Sequence, residues 1–230
     1  MERHVVALVA AHEESERVAS TVSALHALVD EVIVVDDGST DATSSAALLA
    51  GATVLRASQR LGKGRAIEDA LSRLPASAVW LLADADLAES AALLGPLLAA
   101  VSEGRADIAI AVFPKLAGGG FGIVKRFAAR SIHALCGWET RAPLSGQRAL
   151  TAYALAAVRP LASGFGLEVG MTIDAVRSGL RVVEIPLEGL THRPTGRGPR
   201  GFAHRARQGV DIFGAVVSRA VPGLPRRRRH

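Results

Sequence analysis

Apolar residues along this chain gather in short runs separated by polar turns, and the runs alternate between two periods. Residues 5–11 form one unbroken apolar run of strand length, whereas residues 14–28 place Val18, Val22, Leu25 and Leu28 at the spacing of a helix with one buried face. Residues 31–35 (EVIVV) are β-branched and read as a buried parallel strand, cut off by the turn formers at 36–41. The alternation continues with a helix over 41–49, a strand over 53–55 and a helix over 64–74. A strand over 78–83 then ends at Asp84, followed by a helix around 89–101 and a strand over 107–112. Strand, helix, strand with short connections predicts an α/β fold: a mostly parallel sheet covered by helices on both faces.

The periodicity loosens beyond residue 113. Residues 115–122 (KLAGGGFG) read as a loop, 123–135 and 168–178 as helices, and 181–185 as a strand ending at Pro186. Residues 191–201, rich in Pro, Gly and Arg, read as a second loop. A helix over 202–217 puts Phe202, Ala206, Val210, Phe213 and Val217 on one side, and the chain closes on Arg226–Arg229 and His230. No internal repeat interrupts this plan.

Composition adds three constraints. At 230 residues and 49% hydrophobic, the chain can bury a full core without disulfides, and its single cysteine, Cys136, cannot form an internal bridge, which suits a reducing cytoplasm. The apolar start runs at once into Glu13, Glu14 and Glu16 without a cleavage-type sequence, so no secretory signal is expected. The longest uncharged apolar run, 91–101, contains Gly95 and Pro96 and falls short of the roughly 20 residues a membrane-spanning helix needs. Charge is the most informative. Residues 1–113 carry 8 Lys and Arg against 16 Asp and Glu, net −8, while residues 114–230 carry 19 against 6, net +13. The acidic half suits a metal, and the basic half suits phosphates or an anionic surface.

In an open parallel sheet, ligands bind beyond the carboxyl ends of the strands. Glu13-Glu14, Asp36-Asp37 and Asp84-Ala85-Asp86 each follow a predicted strand, so all are expected on one rim. Asp84 and Asp86 can offer hard oxygen ligands to Mg²⁺ or Mn²⁺, or can cap the helix that follows. Asp36-Asp37-Gly38-Ser39-Thr40-Asp41 can take a nucleoside's N–H and hydroxyl groups. An Asx turn with a helix cap accounts for Gly38, Ser39 and Asp41, but not for the doubled aspartate. Gly62-Lys63-Gly64 opens a helix, where phosphate is favoured, although an isolated glycine turn looks the same. Neither a P-loop nor a GxGxxG follows the first strand.

Taken in order, HEE at 12–14, VVDDGSTD at 34–41, GKG at 62–64, DADL at 84–87 and GLEVGMTID at 166–174 resemble the family 2 glycosyltransferases of the GT-A fold, among them glucosyl-3-phosphoglycerate synthases and polyprenyl- or dolichyl-phosphate sugar synthases. The resemblance runs over 5–113 and more loosely to about 193. It departs from the common pattern at Ala10-Ala11-His12-Glu13, where a proline and an asparagine are usual. It implies a Rossmann-like, mostly parallel sheet with an acceptor-side C-terminal region: a nucleotide-sugar-binding half (1–113), an acceptor-side half (114–200) and a basic C-terminal helix and tail (201–230). It further implies donor contacts from Ala11, Glu14, Asp37, Gly38, Lys63 and Asp84. Mg²⁺ or Mn²⁺ falls on Asp84 and Asp86 with His192 as a third ligand, and Glu168 with Asp86 falls at the reacting centre. Arg148, in a PLSGQR stretch similar to an SG-x-R element of the polyprenyl-phosphate enzymes, and Arg193 and Arg197 fall to the acceptor's phosphate.

Each later assignment has a plainer counterpart. Glu168 can be a helix N-terminal carboxylate, His192 an exposed loop histidine and Arg148 a solvated arginine. The C-terminal helix can pack on the domain or lie on an anionic membrane. The function implied is metal-dependent transfer of a sugar from a UDP- or GDP-sugar to a polyprenyl phosphate or a small phosphorylated acid, in the cytoplasm or at the inner membrane face, with a second copy of the chain as a candidate partner. A nucleotidyltransferase would also join an α/β sheet to metal carboxylates, but its glycine-rich, arginine-containing signature near the first strand is missing. A non-catalytic basic module leaves Asp36, Asp37, Asp84 and Asp86 unexplained, and with 4% aromatic residues no nucleic acid is expected.

Overall fold

A computed structural model describes residues 4–113, 122–191 and 199–221, with side chains throughout except at 199–207. The elements run β1 (Val5–Ala11), α1 (Val18–Leu25), β2 (Glu31–Asp36), α2 (Thr43–Leu49), β3 (Thr53–Arg56), α3 (Lys63–Arg73) and β4 (Val79–Asp84). A 3-10 helix (Ala88–Leu94) leads into α4 (Gly95–Ser102) and β5 (Ile108–Val112). Then follow α5 (Gly122–Cys136), β6 (Arg148–Thr151), α6 (Ala152–Val158), α7 (Gly166–Arg177), β7 (Val182–Pro186) and α8 (Pro199–Ala220).

The strands form one sheet in the order β3-β2-β1-β4-β6-β5-β7. All neighbours are parallel except at β6, which runs antiparallel to both β4 and β5. Helices cover both faces, so each strand must bury both sides, which explains the continuous apolar runs. Ala7, Val9 and Ala11 of β1 join the core under α1, the 3-10 helix and α4. Val6 and Leu8 point the other way, into the core under α3, α6 and α7. A smaller cluster ties α5, α7 and α8 together through Ala128, Ile132, Val169, Ile173 and Ile212.

Three differences from the sequence-based expectation have physical causes. The first helix begins at Val18 rather than at residue 14, because the backbone N–H groups of Glu13, Glu14 and Ser15 are engaged by side chains of the neighbouring loop. The helix expected around 89–101 is split at Gly95, with Pro96 in the first turn of α4, where its missing N–H costs nothing. β6 and α6 were not expected at all. β6 has four residues, too few to show a period, and α6 is a run of alanines around Tyr153, Leu155 and Val158. The available signal was Thr151, whose hydroxyl caps α6 by accepting from Ala154 N at 3.0 Å.

Candidate active site

β1 lies between β2, which leads on to β3, and β4, which leads away from it, so the direction of the sheet's winding switches between β1 and β4. The loops diverge at such a point and leave a crevice. Register puts the acidic clusters on this rim: Ala11 pairs with Asp36, and Ala10 with Asp84. The loops after β1 and β2 are fastened to one another. Glu13 N donates to Ser39 Oγ at 3.0 Å, Glu14 N to Thr43 Oγ1 at 2.9 Å and Ser15 N to Asp41 Oδ2 at 3.2 Å. Glu13, in the left-handed region at φ 58°, accepts from Thr40 N at 2.6 Å, and His12 Nδ1 lies 3.0 Å from the Asp37 carbonyl oxygen.

The doubled aspartate divides its work. Asp36 is buried and accepts from Ser39 N at 2.9 Å and from Ser44 Oγ. Burial alone would raise its pKa, but bonds from Ser39 and Ser44 and the nearby Arg56 hold it below the usual carboxylate range. Asp41 behaves in the same way: burial is outweighed by bonds from Thr43 and Ser15, and its pKa falls to about 2. Asp37 instead faces the segment before α3, accepting from Leu61 N at 2.6 Å and Gly62 N at 2.8 Å. Gly38 is required beside it. At φ 69° a Cβ there would sit 2.7 Å from the Gln59 carbonyl carbon and 2.8 Å from Arg60 N.

Asp37 therefore holds the backbone that delivers Lys63 to the centre. Lys63 Nζ lies 2.7 Å from Asp84 Oδ1 and 2.9 Å from Glu168 Oε1. Gln147 Nε2 donates to the other oxygen of Asp84, Oδ2, at 2.7 Å. The Lys63 and Asp84 side chains are partly exposed, at 24% and 34%, while Glu168 is 7% exposed in the first turn of α7, where the helix dipole favours its charge. Burial would lower the pKa of Lys63, but Asp84 and Glu168 outweigh it and keep the ammonium charged. Two glycines make this approach possible. A Cβ on Gly64 would collide with the Ala162 carbonyl, and one on Gly146 would collide with Lys63 Nζ and come within 2.8 Å of Asp84 Oδ2.

The loop carrying Asp84 and Asp86 is held from beneath by α1. Thr21 Oγ1 donates to the Ala85 carbonyl at 2.8 Å and accepts from Ala88 N at 2.8 Å, while Arg17 Nη1 donates to the Asp86 carbonyl at 3.3 Å. Ala85 is buried, and the aspartates on either side of it are both half-buried. This donor set fits a hard divalent cation, since a carboxylate that already collects a cationic group stands two residues from a second one on a polar rim. Among the described residues no three His, Cys, Asp or Glu side chains stand together as a ready-made metal cluster. His192, the expected third ligand, lies outside the described residues, as do Arg193 and Arg197.

Of the remaining candidates, Ala11 ends β1 and is buried, and Glu14 lies in the loop that follows. Arg148 is turned inward, at 1% exposure, with Nε donating to the Ser145 carbonyl at 2.9 Å and Nη1 to Thr172 Oγ1 at 3.0 Å. Burial takes its pKa down to about 10 against the pull of Glu168 and Glu184, and its Nη2 has no hydrogen-bond partner among the described residues. Sequence reasoning gave no role to Gln147, which donates to Asp84, nor to Gly146, whose missing Cβ leaves room for Lys63 Nζ. Their signal was the small residue and the amide just ahead of Arg148.

Residues 6–150 match the family model for Glycosyl transferase family 2. Glucosyl-3-phosphoglycerate synthase of Mycobacterium tuberculosis is 31% identical over 256 residues, covering 96% of this chain and 78% of its own length. Glycosyltransferase AglJ of Haloferax volcanii is 28% identical over 229 residues, covering 96% and 73%. The crystal structure of the M. tuberculosis synthase with Mn²⁺, uridine diphosphate and glucosyl-3-phosphoglycerate superposes with a TM-score of 0.80 at 26% identity, over 97% of this chain and 81% of that one.

Proposed function

The chain belongs to glycosyl transferase family 2, and from that premise we propose that it moves a hexose from a UDP- or GDP-sugar to a phosphate-bearing acceptor with the help of Mg²⁺ or Mn²⁺. The observation that carries this reading is the meeting of Lys63, Asp84 and Glu168, from three distant parts of the chain, at the switch point of the sheet. The M. tuberculosis relative, named for glucosyl-3-phosphoglycerate and solved with uridine diphosphate, supports a uridine-diphosphate sugar as donor and a small phosphorylated acid as acceptor.

In this reading the rim divides into three tasks. Ala11, Glu14, Asp37 and Gly38 form the wall that receives the nucleoside. Lys63 and the N-terminus of α3 meet the diphosphate, both favouring negative charge. Asp84 and Asp86, joined by His192, hold the metal, which when bound neutralises the departing nucleoside diphosphate. Glu168 stands opposite Asp84 across Lys63, placed to orient or deprotonate an acceptor hydroxyl. An acceptor attacking through an ionised phosphate oxygen needs only the orientation. Arg193 and Arg197 bind the acceptor's phosphate. Arg148, expected from the sequence to meet the acceptor's phosphate, is instead buried between the Ser145 carbonyl and Thr172, where it supports the wall behind Glu168.

None of the described helices is long and apolar enough to cross a membrane. α8 packs on α7 through Ile212 and a buried Arg219–Asp174 pair, yet leaves Val210 and Phe213 exposed. With the arginines at 226–229, that outer face suits peripheral contact with an anionic membrane from the cytoplasm.

The test is nucleoside diphosphate release from UDP- and GDP-sugars with and without Mn²⁺, repeated on Asp86→Asn. The reading expects release that depends on metal and falls sharply in the variant. Release indifferent to chelation would remove the metal from the mechanism.

A further inference from the structure

Lys63 sits where the proposed function requires two things at once: a lysine for the diphosphate and a metal on Asp84. We propose that Lys63 and the divalent cation compete for Asp84, so that the ammonium moves off this carboxylate, onto Glu168 and the donor diphosphate, as the cation binds. The inference rests on the proposed function, since the cation in question is that of the sugar-transfer reaction.

Geometry supplies the conflict. Both oxygens of Asp84 are in use, Oδ1 by Lys63 Nζ at 2.7 Å and Oδ2 by Gln147 Nε2 at 2.7 Å. A divalent ion coordinated by the same carboxylate at about 2.0–2.2 Å would stand within a few ångströms of the ammonium, a like-charge contact that a neutral amide such as Gln147 does not create. Geometry also supplies the exit. Glu168 holds the same ammonium at 2.9 Å and is itself nearly buried, so one partner is kept when the other is given up. Nζ occupies the place that a Cβ on residue 146 would take, so the glycine there is what admits the ammonium between the two carboxylates. The root of Lys63 cannot shift, since Gly62 carries the backbone hydrogen bond to Asp37 and Gly64 is pressed against Ala162. The move is therefore a swing of the side chain alone.

Competition makes a prediction opposite to that of a simple phosphate contact. Lys63→Gln should bind Mn²⁺ alone more tightly, while binding UDP more weakly at saturating Mn²⁺. Arg65→Gln, an exposed position two residues along α3, removes one positive charge from the same neighbourhood and sets the benchmark for through-space effects. Free Mn²⁺ is read by electron paramagnetic resonance as it is titrated, without nucleotide, into the wild type and each variant. The expected result is affinity increased about tenfold by Lys63→Gln, clearly beyond the change in Arg65→Gln. Lys63→Arg, which retains the charge, should return the affinity towards wild type, a rescue that a misfolded variant would not show. If Lys63→Gln binds Mn²⁺ no more tightly than Arg65→Gln while wild-type donor release still requires metal, the competition is wrong and the proposed function stands. If none of these proteins binds Mn²⁺ and donor release ignores chelation, the metal reading fails and takes the competition with it.

Discussion

The two sides of the crevice are built by opposite strategies. On the side we assign to the donor, the loops after β1 and β2 satisfy their polar groups against each other, Glu13 with Ser39 and Thr40 and Ser15 with Asp41, while Asp36 at the end of β2 bonds Ser44 at the start of α2. On the side we assign to the acceptor, the contacts join elements further apart in the chain, Lys63 to Glu168, Asp84 to Gln147 and Asp174 to Arg219. Two neighbouring loops bonded to each other make a rigid wall, the one we assign to the nucleoside. Contacts between distant elements make the opposite wall depend on how α7 and α8 are docked.

That contrast can be broken from the acceptor side first. Glu168→Gln should lower sugar transfer by about 10²–10⁴-fold while leaving UDP binding at saturating Mn²⁺ within a few-fold of wild type, as measured by steady-state kinetics and calorimetry. Equal loss of transfer and UDP binding would mean that Glu168 belongs to the donor wall. A structural break comes next. Arg219→Met removes the arginine that pairs with buried Asp174, both side chains being about 5% exposed or less. A loss of about 3–5 kcal/mol is expected in denaturant unfolding, with α8 released from α7.

The same contrast explains what could be read before folding. The donor-side motifs, VVDDGSTD at 34–41 and DADL at 84–87, are contiguous, and strand periodicity alone set them on one rim. The direction of Asp37 was not legible, because its partners are backbone N–H groups of Leu61 and Gly62 that only the path of the chain brings near. Glu168 was legible through GLEVGMTID, but its pairing with Lys63 spans 105 residues and leaves no local trace. Arg148 reads from sequence either as an acceptor-phosphate ligand or as a solvated arginine, and only the antiparallel insertion of β6 between β4 and β5 turns it inward.

The smallest effect sharpens the donor side. Asp41 has its pKa lowered from 3.8 to about 2 in the folded chain, so its bonds to Thr43 and Ser15 contribute stability that is complete above pH 4 and is lost as pH falls towards 2. Asp41→Asn should cost about 1 kcal/mol at neutral pH and flatten the fall in thermal midpoint between pH 4 and 2. An unchanged acid limb would show that the loop fastening does not depend on this carboxylate.

Everything on the rim converges on one expectation, that nucleotide and metal are held together by the carboxylates of the β4 loop. Calorimetric titration of UDP into the wild type and Asp86→Asn, in Mn²⁺ and in chelator, tests it directly. Tight binding in Mn²⁺ that is largely lost on chelation and in the variant is the predicted result. UDP binding of equal strength in all four titrations would contradict it.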